Sequence, residues 1–284
     1  MSSLATIARK DFKDSIRTRS IWIIAGVMTI LSLSHILAFI SSPVSEQHTR
    51  PFVFAVAQFS LWLPLAAIGI GFKSVVGERT SGSIRILLGQ PGTRRNVVFG
   101  TYLGRLLILT TTIILALIIV GIVVTIEFGD LGSVTDVIGG TIALLLFALA
   151  WIGLVVGASS VVASETRAIG LVIGVYTLVE PLWQNLVLRL FALIFTGTIQ
   201  TPSQASVFYS LENPTWYLYV NRLSPTEAFN AARYYIPELL EGLWYGTAIS
   251  GPTLPNLFGI AVLIGWATVP VYLGYRQFER VDLG

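Results

Sequence analysis

The sequence predicts an all-α polytopic membrane protein with six transmembrane helices, and two observations carry this prediction. Of its 284 residues, 54% are hydrophobic and only 12% are charged, about half the charged share of an ordinary soluble domain. Six apolar runs are each close to the roughly 20 residues that a helix needs to cross a bilayer. The predicted spans cover residues 21–40, 52–72, 103–126, 137–162, 168–195 and 257–275. Runs this long favour helices over the alternating strands of a barrel.

Lysines and arginines are distributed unevenly between the predicted loops. Fourteen of the eighteen lie before span one, between spans two and three, between spans four and five, or around the end of span six. Because positive charge accumulates on the cytoplasmic side, the sequence predicts a multi-pass protein of the plasma membrane with both termini in the cytoplasm. These residues flank helices instead of forming a patch with aromatics, so no nucleic-acid partner is predicted.

Several kinds of chemistry have no sequence signal. The chain has no cysteine and only two histidines, which excludes disulfides and thiolate metal sites. The patterns GxxxxGK[ST], HExxH and GxSxG are absent, so the chain has no P-loop of its own and no recognisable hydrolase motif. We therefore predict that it is not an enzyme and that it holds no cofactor.

The first 19 residues are predicted to form a cytoplasmic amphipathic helix in the membrane interface. Leu4, Ile7 and Phe12 fall on one arc at 100° per residue, opposite the basic residues. Asp11 interrupts the apolar arc. The alternative is a plain basic flank of the first span.

The cytoplasmic loop 73–102 is too long for a tight turn. Ile84, Leu87 and Leu88 form an apolar helical face, Pro91 begins a turn, and Thr93 is placed to cap the helix that follows. This pattern indicates a surface that docks another protein, whereas a simple connector would not need exposed leucines. The extracellular segment 196–255 is predicted to form a helical cap, whose many aromatics are typical of an interfacial belt or, alternatively, of a substrate site.

Glu180 is the one ionisable residue predicted to lie deep in a span, and Pro181 follows it. Proline removes a backbone donor and kinks a helix. Glu180 is thus a candidate for the lining of a translocation path or for pairing with a partner helix. The alternative is a protonated carboxyl hydrogen-bonded to a neighbouring helix.

The loop GERTSGSIRILLGQPGTRRNVVFGTYLGR resembles the signature region of ABC-2 type transporter permeases. Gly100 matches that pattern, whereas Thr101 stands where the family usually has lysine and Ser83 where threonine is commoner. The segments IARKDFKDSIRTRSIW and SETRAIGLVIGVY are also similar to family segments. NPTWYLYVNRLSP resembles the subgroup that contains the nitrous-oxide-reductase maturation permease. The resemblance covers most of the chain, 20–284 being the transmembrane domain.

The resemblance implies two separate ATPase subunits, which would bind ATP and magnesium, and a second permease copy, with an interface that involves spans one, two and five. The residues implied in ATPase coupling are Glu78, Gly82, Ser83, Leu87, Leu88, Pro91, Arg94, Glu165 and Arg167.

Three functions follow as hypotheses. The leading one is the permease of an ATP-driven exporter, embedded in membrane lipid. The second is a membrane enzyme acting on lipid, for which only Glu180 is available. The third is a non-transporting scaffold that passes ATP-driven motion to an extracytoplasmic protein through segment 196–255.

Overall fold

Every regular element in the described part of the chain is helical. The computed structural model describes residues 4–39, 49–80, 93–202, 208, 213–249 and 251–280. The helices are α1 (Leu4–Ile16), α2 (Arg19–Phe39), α3 (Pro51–Ala57), α4 (Phe59–Gly71), α5 (Val76–Thr80), α6 (Arg94–Phe128), α7 (Val134–Val161), α8 (Glu165–Val179), a π-helical turn (Trp183–Val187), α9 (Leu188–Thr196), α10 (Thr215–Asn221), α11 (Pro225–Tyr245) and α12 (Thr253–Glu279).

Several of these helices are long and apolar enough to span a membrane. Four qualify singly within the described residues: Phe59–Glu78, Arg94–Phe128, Val134–Val161 and Thr253–Glu279. Glu165–Val179 and Trp183–Thr196 qualify together as one span bent by 53°. The apolar stretch of α2, Trp22–Ala38, is shorter. Several membrane-spanning helices are thus confirmed, while the count of six stays a prediction.

Side-chain caps begin three of the long helices at residues that favour this position. Thr93 accepts a hydrogen bond from Asn96 N and begins α6, as the sequence predicts. Ser133 and Ser164 begin α7 and α8 in the same way. Each cap satisfies an amide that the first helical turn leaves unpaired, so the starting residue of each of these three helices is fixed by its own side chain.

Helix α7 forms the centre of the bundle. Of its most apolar window, 72% is buried inside the protein, against 28% for α12. Its glycines allow α12 to approach at backbone distance: a Cβ on Gly153 would lie 2.5 Å from Ala267 O, and one on Gly157 would lie 2.4 Å from Pro270 O. Close approach through small residues is how helices associate where lipid supplies no hydrophobic force.

Helix α11 reaches the middle of the bundle. Its Phe229 stacks on Phe147, halfway along α7, with ring centroids 4.7 Å apart, and Pro237 packs on Gly139. This placement differs from the predicted cap, which would rest only on the outer ends of the spans. The aromatic pattern of segment 196–255 indicates its amphipathic character but not its depth.

Helix α1 packs across the first turns of α6. A Cβ on Gly100 would lie 2.8 Å from Ile7 Cβ, and one on Gly104 would lie 2.5 Å from Asp11 Oδ2. The two glycines are one helical turn apart and form a shallow groove for α1. The N-terminal helix is therefore held by protein contacts, and its predicted position in the membrane interface stays a prediction.

Candidate functional site

The structure joins two of the loops that carry predicted coupling residues. Lys73 Nζ lies 2.6 Å from Glu165 Oε2, and Thr80 Oγ1 lies 3.5 Å from Glu165 Oε1. Glu78 lies between Lys73 and Thr80 in the sequence and belongs to the short helix α5. One surface therefore holds α5 and the beginning of α8, together with the point at which the chain continues to residue 81.

A hydroxyl group ties this surface to the central helix. The backbone amides of Val75 and Val76 both donate to Ser159 Oγ, each at 3.1 Å. Ser159 is fully buried near the end of α7. A displacement of α5 would therefore pull directly on α7. No local pattern in the sequence marks Ser159, because its partners lie more than 80 residues away.

Five of the residues predicted to take part in ATPase coupling lie outside the described residues: Gly82, Ser83, Leu87, Leu88 and Pro91. Arg167 is exposed in the first turn of α8, where its amide donates to Ser164 Oγ.

Arg94 contacts the last helix of the chain. Its Nη1 donates to Phe278 O at 2.9 Å and to Glu279 O at 2.8 Å, and its guanidinium lies 5.7 Å from the centroid of the Phe278 ring. A cation that hydrogen-bonds the last carbonyls of a helix caps its C-terminus and complements its dipole. Arg94 therefore joins the end of loop 73–102 to α12.

An ion pair explains why an aspartate interrupts the apolar arc of α1. Asp11 Oδ1 lies 2.9 Å from Arg105 Nη2, and Arg105 Nη1 also donates to Ile70 O at 3.0 Å. Both side chains are about four-fifths buried. The pair connects α1, α6 and the end of α4, so the residue that breaks the pattern is a contact between three elements.

Burial raises the pKa of Asp11 from its ordinary value of 3.8 to about 6, although Arg105 acts in the opposite direction. A folded-state pKa above the unfolded value means that the folded state binds the proton more tightly. The tighter binding of this proton stabilises the folded state. The stabilisation is complete at pH values below the unfolded pKa of Asp11 and is lost as pH rises through its folded pKa.

We expect the melting temperature of the wild type, relative to that of Asp11→Asn, to fall as pH rises from about 4.5 to about 7. Asparagine does not titrate, so subtraction of the variant's curve removes the contributions of other carboxyls. Differential scanning fluorimetry in detergent measures both curves. Parallel curves across this window would show that Asp11 titrates near its ordinary pKa.

Glu180 lies at the bend in the fifth predicted span. Helix α8 ends at Val179, and Glu180 has φ −107° and ψ −89°. Pro181 supplies no amide to continue the helix, and the chain resumes as a π-helical turn. Such turns are frequent at functional positions in helices. The bend that the sequence predicts at Pro181 is thus present.

The side chain of Glu180 is hydrogen-bonded to α11. Thr226 Oγ1 donates to Glu180 Oε1 at 2.5 Å, and Ser224 Oγ donates to Val179 O at 2.9 Å. Nearby, Gln184 Nε2 donates to Glu227 Oε1 at 2.8 Å. The hydrogen bond links Glu180 to a neighbouring element, while a protonated carboxyl and pairing with a partner helix stay predictions. A role in a translocation path stays a prediction.

Arg222 holds the turn between α10 and α11, and the sequence pattern treats it only as an outer-side charge. Its side chain is fully buried. Nε and Nη2 both donate to Asn256 Oδ1, at 3.1 and 2.6 Å, and Nη1 donates to Leu218 O. Trp266 Nε1 donates to Leu223 O at 3.0 Å. The turn that carries Ser224 is therefore fixed to α12, and with it the first turn of α11, which carries Thr226.

Within the described ranges, no three His, Cys, Asp or Glu residues are placed to hold a metal ion. The absence of a cofactor from this chain stays a prediction.

The fold and the glycine-mediated packing of its spans define a polytopic helical membrane subunit. The chain belongs to the ABC-2 family of transporter proteins, because the family described as "ABC-2 family transporter protein" matches residues 5–283. It is therefore a membrane subunit of an ABC transporter, and members of this family work with ABC ATPase partners.

Two relatives from pseudomonads are similar over nearly their full length. A protein of Stutzerimonas stutzeri described as "Probable ABC transporter permease protein NosY" is 24% identical, with 99% of each chain covered. A protein of Pseudomonas aeruginosa with the same description is 25% identical, covering 90% of this chain and 96% of the relative. These matches confirm the resemblance to ABC-2 permeases.

Proposed function

We propose that this chain couples ATP hydrolysis by two separate ATPase subunits to the export of a substrate across the plasma membrane. The observation that carries the proposal is the single surface formed by α5 and by Glu165 at the start of α8. An ATPase docked there would contact the loops before spans three and five together.

The contacts behind this surface supply a route for motion. Val75 and Val76 are bonded to Ser159 on α7, and Arg94 is bonded to the last carbonyls of α12. Since α7 and α12 touch at backbone distance, a push on the surface would move both helices as one unit. The bend at Glu180 would let the outer part of span five follow separately.

The remaining parts of the proposal come from the charge distribution and the family. The fourteen basic residues assigned to one side support a cytoplasmic location for both termini and for this surface. A second copy of the chain would complete a homodimer. ATP and magnesium would bind in the ATPase subunits, as expected for a chain without a P-loop motif.

The test is co-purification of an ATPase with the tagged protein from mild detergent, with and without Leu87→Glu plus Leu88→Glu. We expect a stoichiometric ATPase with the wild type and at least about a tenfold loss with the double variant, because two charges replace the apolar face. Leu87→Met plus Leu88→Met, which keeps that face apolar, is the control and should retain the ATPase.

Size-exclusion chromatography checks that all three proteins are monodisperse. Equal ATPase recovery with the glutamate and methionine variants would contradict docking through Leu87 and Leu88. Recovery of no ATPase with the wild type would contradict the proposed energy source.

A further inference from the structure

We propose that the junction of α1, α2 and α4 binds one phospholipid that carries a primary ammonium headgroup. The headgroup would occupy a polar cavity beside α1, and an acyl chain would lie in an apolar groove between α2 and α4. The contacts that argue for the site do not depend on ATPase docking.

The polar cavity has a volume of about 320 Å³ and contains charges of both signs. Asp11, Asp14 and Glu78 supply carboxylates, and Lys10 and Arg105 supply cations. Asp11 Oδ2 and Arg105 Nε are buried, and neither has a hydrogen-bond partner among the described residues. An acceptor and a donor are thus left over after the Asp11–Arg105 ion pair has formed. A buried polar group without a hydrogen-bond partner destabilises the folded state unless another group satisfies it.

An apolar groove of about 250 Å³ adjoins this cavity. Val27, Leu31, Trp62 and Leu65 are among its lining residues, and Ile24 lines both the groove and the cavity. Ile24 itself packs on Gly69 of the cavity, where a Cβ would lie 3.1 Å from Ile24 Cδ1. From Ile24 to Leu31 the groove follows α2 for about 10 Å, at about 1.5 Å per residue. This is roughly two thirds of the depth of one leaflet of a bilayer core of about 30 Å.

A polar end beside the amphipathic helix and an apolar end along two spans match the two parts of a phospholipid. The phosphate would lie toward Lys10 and Arg105, and the ammonium toward the carboxylates. Three carboxylates against two cations favour a zwitterionic headgroup over an anionic one. A primary ammonium is favoured over choline because it donates hydrogen bonds, which the exposed carboxylate of Asp14 at the cavity can accept.

Native mass spectrometry of the detergent-solubilised full chain tests this site, with phosphatidylethanolamine, phosphatidylcholine and phosphatidylglycerol added separately. We expect the ethanolamine lipid to be retained at least about tenfold better than the other two. Asp14→Asn removes an exposed carboxylate at the cavity and should lower this preference several-fold, while retention of the choline lipid stays unchanged. Val27→Trp should fill the groove and reduce retention of the ethanolamine lipid to the level of the other two.

Ile30→Trp is the matched control, since Ile30 lies on the same helix outside the groove, and it should retain lipid like the wild type. Equal retention of the three lipids by the wild type would overturn the proposal, as would unchanged retention with Val27→Trp. Dissociation of a dimer by Val27→Trp, with no lipid retained by the wild type, would also overturn it by assigning the groove to a second copy of the chain.

Discussion

Gly157→Ala is expected to destabilise the protein strongly, even though alanine is the best helix former. A Cβ at Gly157 would lie 2.4 Å from both the carbonyl carbon and the carbonyl oxygen of Pro270. The obstacle is backbone, so no side-chain rotation relieves the clash, and α7 and α12 must separate. Overpacking costs about 1–3 kcal/mol where side chains can move, and we expect at least the upper end of that range here.

Gly265→Ala is the matched control on the opposing helix. Nothing lies within 4 Å of a Cβ at that position, so the substitution should be neutral or stabilise the helix by up to about 1 kcal/mol. Thermal unfolding of both variants in one detergent is the measurement. We expect Gly157→Ala to lower the melting temperature by about 6 °C or more, given about 2–4 °C per kcal/mol for larger domains. If the Gly157→Ala variant has the same melting temperature as the wild type, α7 and α12 do not touch at backbone distance.

The class of protein and the presence of several long apolar helices were predictable from the sequence because each depends on local pattern. A run of about 20 apolar residues determines a spanning helix without knowledge of its neighbours. Thr93 caps α6 for the same reason, since a cap involves only the next three residues. The bend at Glu180 follows from Pro181 alone.

The partners of the candidate site residues were not predictable, because they come from distant parts of the chain. Arg94 bonds a carbonyl 184 residues away, and Thr226 bonds Glu180 across 46 residues. The depth of α11 likewise depends on the fit of Phe229 against Phe147. A period of 3.6 residues identifies the face of a helix but not the helix that it meets.

Irregularities in the pattern were the best local signal for such contacts. Asp11 breaks the apolar arc of α1 and forms the ion pair with Arg105. Gln184 is an amide inside an apolar run, and it bonds Glu227. Polar side chains in apolar surroundings are retained where they find a partner, so each such residue indicates a tertiary contact even when the partner is unknown.

Arg222→Ala is expected to release the turn that holds the bend of span five. The substitution removes both hydrogen bonds to Asn256 Oδ1 and the one to Leu218 O. Hydrogen bonds to charged groups contribute about 1.5–3 kcal/mol each, and acceptors left buried lose more. We expect a fall in stability of about 3 kcal/mol or more, together with faster hydrogen exchange in residues 215–227.

Two further arginine variants complete the experiment: Arg222→Lys separates the geometry of the side chain from its charge, and Arg189→Ala is a control at another position. Arg222→Lys keeps the charge but replaces the planar guanidinium by a single ammonium, which cannot reach both acceptors with the same geometry, so it should rescue only partly. Arg189→Ala removes an exposed arginine from α9 and should leave exchange in residues 215–227 unchanged. If hydrogen exchange in residues 215–227 of Arg222→Ala is as slow as in the wild type, Ser224 and Thr226 hold the turn without Arg222. Faster exchange that extends to residues 176–187 would instead show that the bend at Glu180 depends on Arg222, because Ser224 and Thr226 bond that segment directly.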